Sequence, residues 1–133
     1  MSEPVQQHVH IYSLSNGMPQ PLTASALQSS HFDFSFERAI AELELLPRMF
    51  IELDGSLVWC GEVETRRWQI DGMIYDRAGH VLRVELKGAA PRQAWEQLLS
   101  IFGWPKQPLV AQYVNQPRFV ELEDFLVATV ARR

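Results

Sequence analysis

Gln69-Ile70-Asp71-Gly72-Met73-Ile74-Tyr75-Asp76-Arg77-Ala78-Gly79-His80-Val81-Leu82-Arg83-Val84-Glu85-Leu86-Lys87-Gly88 is the stretch on which the reading of this chain turns. Its halves alternate in polarity about a turn, the pattern of two half-buried strands. Before the turn, Trp68, Ile70 and Ile74 share one parity, while Gln69, Asp71 and Tyr75 take the other. After it, Leu82, Val84 and Leu86 share one face, and Arg83, Glu85 and Lys87 the opposite one. A three-residue loop, Arg77-Ala78-Gly79 with Gly79 left-handed, closes Asp76 against His80 and predicts Asp71 directly opposite Glu85. A two- or four-residue loop would put the two carboxylates on different faces.

Like charges directly opposite each other destabilise a sheet, so a cation between Asp71 and Glu85 would account for the pair. Two carboxylates on neighbouring strands suit a hard divalent ion such as Mg²⁺. Lys87, two residues beyond Glu85, falls on the same face. Without the ion, mutual repulsion is expected to raise one carboxyl pKa.

Asp71 followed by Glu85-Leu86-Lys87 resembles the PD-(D/E)xK nuclease superfamily, in which an aspartate and an acidic-x-lysine on the next strand bind metal and position a water. The order of elements over roughly residues 35 to 115 is also similar: a helix, several strands, a helix and a further strand. The resemblance implies a restriction-endonuclease-like fold. It also implies Mg²⁺ on Asp71 and Glu85, with the Leu86 carbonyl a further ligand, and Lys87 as the catalytic residue acting on the attacking water. A first-helix glutamate, Glu37 or Glu44, would complete such a site. The chain departs from the pattern in having Ile70 where the motif has proline and one strand more before the second helix. Gln97 does not carry over, because it points away from the stripe Trp95, Leu98, Leu99 and Phe102.

The residues admit a plainer reading. A sheet covered by helices on one side leaves a polar face on the other, where Arg83, Glu85 and Lys87 would be solvated. Glu85 would then pair with Arg83 or Lys87 along its strand, and Asp71 diagonally with Arg83. The same fold would serve as a non-catalytic protein- or ligand-binding module.

The 133 residues, 47% of them apolar, suffice for one core and are too few for two ordinary domains. Cys60 is the sole cysteine, which excludes an internal disulfide and disfavours a zinc cluster. No apolar run reaches the roughly 20 residues of a membrane span, and Met1-Ser2-Glu3-Pro4 does not open a secretion signal, so a cytoplasmic location is expected. A net charge of −4 argues against nucleic acid as a partner. Even so, Arg66, Arg67, Arg77, Arg83, Lys87 and Arg92 gather half of the twelve basic residues around Asp71, Asp76 and Glu85, leaving a phosphate-bearing partner open.

The whole chain reads as a single α+β domain: a mainly antiparallel twisted sheet with helices on one face. Residues 1–14 hold a strand, Gln7 to Ser13, with Val9 and Ile11 on one side and His8 and His10 exposed on the other. Residues 15–34 read as a Ser/Pro-rich loop or arm, and residues 35–133 as an α-β-β-β-β-α-β-α core. Ser35 caps a helix carrying Phe36, Ile40, Leu43 and Leu46, which Pro47 ends. Asp54-Gly55 is the expected two-residue turn of the next hairpin, setting Phe50 against Trp59, Ile51 against Val58 and Cys60 against Met49. Pro91 opens a second helix that stops at Gly103, Leu109 to Val114 is a covered strand, and Leu122, Phe125, Leu126 and Val130 mark a closing helix with Arg132 and Arg133 at its end.

Overall fold

The computed structural model describes residues 3–14, 32–116 and 118–130, so the arm at 15–31 and Arg132 and Arg133 lie outside the described residues. In chain order the elements are β1 (Gln7–Ser13), α1 (Phe36–Leu43), β2 (Met49–Ile51), β3 (Ser56–Val63), β4 (Arg66–Arg77), β5 (His80–Ala89), α2 (Arg92–Ile101), β6 (Leu109–Tyr113), β7 (Phe119–Glu121) and α3 (Leu122–Ala128). The α+β expectation holds. One sheet of order β2-β3-β4-β5-β1-β6-β7 is antiparallel at every pairing. β7 is an edge strand absent from the sequence reading; at three residues it is too short to show an alternation.

Placing β1 between β5 and β6 organises the molecule. β5 and β6 both run antiparallel to β1, hence parallel to each other, and α2 makes the crossover between them. β1 thereby becomes a central strand, and Val9 and Ile11 have no exposed surface. They meet Ile70, Ile74, Val84 and Leu86 from the hairpin and Ala111 from β6 in one core. The three helices of the described residues press their apolar stripes onto this same face, α1 against α2 and α2 against α3. Ser35 caps α1 as read, its Oγ accepting the Arg38 N–H at 3.1 Å. Pro91 stands one position earlier than expected, as the N-cap of α2. At the centre, Trp95 meets Phe125 edge-on with centroids 5.3 Å apart.

Both hairpins depart from their expected turns, in opposite directions. Between β2 and β3 the connection has three residues: Glu52 N–H donates to the Ser56 carbonyl, and Gly55 takes φ +93°. The pairing becomes Met49 with Trp59, Phe50 with Val58 and Ile51 with Leu57, one residue from expectation. Trp59 is therefore turned into the core, edge-on to Trp68 at 4.8 Å, while Phe50 is left 68% exposed. Cys60 has Gln69, not Met49, as its neighbour.

Between β4 and β5 the turn has two residues, Ala78 at φ +52° and Gly79 at φ +84°, pairing Arg77 with His80. Positive φ at both central positions is the type I′ requirement. Asp76 then pairs with Val81 but Tyr75 with Arg83, so Leu82 is the extra residue of a β-bulge. The bulge carries Val81, rather than Leu82, into the core beside Val84 and Leu86.

Candidate functional site

The two-residue turn alone would have separated Asp71 and Glu85 onto different faces; the extra residue at Leu82 restores their parity. The result is offset from the expected register by two residues. Asp71 stands opposite Lys87, and Glu85 opposite Met73, so the two carboxylates are diagonal neighbours. All three polar side chains lie on the open face and line one shallow depression of about 310 Å³ with His8 and Met73. The expectation of a directly facing carboxylate pair is thus corrected to a staggered one.

What surrounds Glu85 comes from strands the local pattern does not join. β1 puts His10 opposite Glu85 and His8 opposite Lys87. His8 Nε2 lies 2.6 Å from Glu85 Oε2, and Tyr75 Oη donates to Glu85 Oε1 at 2.9 Å. Asp71 Oδ1 accepts from Gln69 Nε2 at 2.8 Å, and the Arg83 guanidinium lies over the Tyr75 ring, 4.2 Å from its centre. Arg83 and Lys87 are thus not the partners of Glu85. His8 is not the exposed strand histidine that alternation predicts, since its side chain retains 24% of its surface and that of Glu85 28%.

These contacts set the electrostatics. The hydrogen bond from His8, seconded by that from Tyr75, holds Glu85 below the usual carboxylate range despite its partial burial. Repulsion from Asp71 is not among the causes that shift Glu85. Donating to the anionic Glu85 raises Tyr75 above the usual phenol value. Burial lowers His10, and its Nδ1 has no hydrogen-bond partner among the described residues. The cluster presents a carboxylate with both oxygens engaged, a histidine bound to it, a stacked arginine and a flanking lysine. Among the described residues no three His, Cys, Asp or Glu side chains converge as a metal-holding group.

Glu37 and Glu44 belong to or cap α1, which packs on the covered face, so neither shares the open face with Glu85. Of the residues the sequence reading missed, Tyr75 carried a signal, since its parity with Asp71 placed it on this face. His8 carried none beyond alternation, because its partner lies 77 residues away. No family model, curated protein or solved structure matches the chain. No helix among the described residues is long and apolar enough to cross a membrane.

Proposed function

We propose that this α+β domain is a non-catalytic binding module that uses the open face of its sheet, around Glu85, to recognise a polar ligand or partner. The observation carrying this reading is that both oxygens of Glu85 are engaged by His8 and Tyr75. A metal would have to displace a charge-assisted contact to use Glu85, and such contacts are among the stronger hydrogen bonds. The staggered Asp71 is held by Gln69. A hydrogen-bonded polar row of this kind is a preorganised surface for recognition.

A second reading, a Mg²⁺-dependent nuclease with Asp71 and Glu85 as ligands and Lys87 acting on water, is favoured by their shared depression. Thermal melting with Mg²⁺ or Mn²⁺, alongside cleavage assays on generic DNA and RNA, separates the two. A binding module shows no ion-dependent rise in melting temperature, no cleavage, and the same null result in His8→Ala, where one oxygen of Glu85 is released while Tyr75 still holds the other. A rise that Asp71→Asn abolishes, with cleavage lost in Lys87→Ala, would establish the nuclease reading instead.

A further inference from the structure

β2 ends the sheet, and no strand of the described residues pairs with its outer side. The groups it leaves free follow from the bonds it makes. Cys60 N–H donates to the Arg48 carbonyl, and Glu52 N–H donates to the Ser56 carbonyl. Arg48 and Glu52 thus turn backbone groups towards β3, as does Phe50 between them, because these groups alternate across an antiparallel ladder. Met49 and Ile51 turn theirs outward. The Met49 N–H donates to the Leu46 carbonyl at 3.3 Å, which leaves the Met49 carbonyl and both groups of Ile51 facing away from the sheet.

The same edge exposes apolar surface. Five large apolar residues are exposed among the described residues, and Leu45, Phe50 and Leu53 of these lie in or beside β2, the two leucines 83% and 86% exposed. The opposite edge, β7, has none: Phe119 and Val120 are partly buried. Edge strands are commonly guarded by a charged residue or a proline, and Met49–Ile51 itself carries neither.

The charges flanking the strand show what fits this edge. Arg48-Met49-Phe50-Ile51-Glu52 is complementary to itself when two copies run antiparallel. A two-fold axis at Phe50 sets Met49 opposite Ile51 of a second copy, and Arg48 opposite its Glu52, at both ends. The outward Ile51 N–H then donates to the Met49 carbonyl of the second copy, and symmetry repeats the bond. Phe50 meets its own copy in a non-hydrogen-bonded pair, where side chains stand closest. A shift by two residues would bring Arg48 against Phe50 and leave both ion pairs unmade.

We propose that β2 is a dimer interface, at which two copies of this chain join edge to edge and continue their sheets into one. The contact uses the same patch on both copies, so it consumes both β2 edges and closes at two. The interface is separate from the Glu85 cluster and does not depend on the reading of it. Sedimentation equilibrium of the full chain, from micromolar to millimolar concentration, tests it and is expected to show monomer and dimer and nothing larger. Phe50→Glu sets two carboxylates at the axis and should weaken dimerisation about tenfold or more, with an unchanged circular dichroism spectrum. Val63→Glu alters an exposed apolar residue at the far end of β3 and should leave the dimer intact.

Charge exchange tests the register. Arg48→Glu and Glu52→Arg each set like charges opposite each other, so each variant alone should dimerise more weakly than wild type. Mixed in equal amounts the two should form a mixed dimer, because opposite charges meet again at both ends. Should Phe50→Glu lose its fold, the mixing result decides alone. A monomer throughout, or a dimer indifferent to a folded Phe50→Glu, overturns the interface. Charge variants that associate as well alone as mixed overturn the two-fold register, and species larger than a dimer overturn its closure. A monomer that instead takes up an extended peptide along β2 overturns the second copy as the occupant.

Discussion

Glu85 and His10 face each other across β5 and β1, and both have lowered pKa values, with opposite consequences for charge. Lowering keeps Glu85 anionic and keeps His10 neutral. For Glu85 the stabilisation is present above its unfolded value, about 4.3, and is lost as pH falls through the folded one. For His10 the unfolded chain takes up its proton first, from about pH 6.5 downward, so stability also declines on acidification, but in a higher window. Glu85 opposes the His10 shift, while Arg83 and His8 reinforce it. His10→Gln should therefore flatten the fall in melting temperature between neutrality and mildly acid pH, by a fraction of a proton, and leave the fall below about pH 4 intact. An unchanged slope in the higher window would place the titrating group elsewhere. That Tyr75 shares a face with Asp71 on one strand, and Lys87 with Glu85 on the next, was legible from alternation; that the two strands present these residues to one side rests on the turn together with the bulge at Leu82. The His8 contact was not legible, because pairing between remote strands leaves no mark on local pattern.

At the scale of elements, parity proved sturdier than register. Ile70, Ile74, Val84 and Leu86 are buried together, and the extra residue at Leu82 reconciles that with a two-residue turn. The turn fixes which residues stand opposite, and there Arg77-Ala78-Gly79 and Asp54-Gly55 each fit two loop lengths. The bulge at Leu82 was hidden for a related reason: Val81 and Leu82 are both apolar, so either could be the residue that turns inward. Gly79 is where this register can be tested. Its φ is +84° and an added Cβ would meet nothing within 4 Å, so a substitution there reports backbone strain without a clash. Gly79→Ala should cost about 1 kcal/mol and Gly79→Asn less, measured by urea unfolding with an unchanged m-value. Equal stability of all three would mean that the turn does not hold both residues left-handed. The turn also anchors α1, since the Gly79 carbonyl accepts the Phe36 N–H at 2.8 Å.

Across the whole molecule, the helices, their faces and most strands were readable because each carries its own periodicity. The strand order was not, because the site of β1 depends on which edge the helices leave free. Central placement makes β1 a stability element. Ile11→Ala should cost about 2–5 kcal/mol, comparable to Ile74→Ala in the long hairpin, and both variants should unfold in one transition by fluorescence and circular dichroism. A β1 that frays independently would give Ile11→Ala a much smaller cost.

The same placement bears on how the chain is made. β1 leaves the ribosome well before its neighbours β5 and β6, with three strands and a helix made between it and β5. Until β6 emerges, β1 cannot have both of its partners, and β5 keeps an open apolar edge unless β1 has already returned to it. Pairings this distant in sequence form slowly, and unpaired edges invite association with other chains. Conditions that slow the return of the first strand, such as a bulky N-terminal fusion, should therefore reduce the yield of folded protein more than an equal burden at the other end.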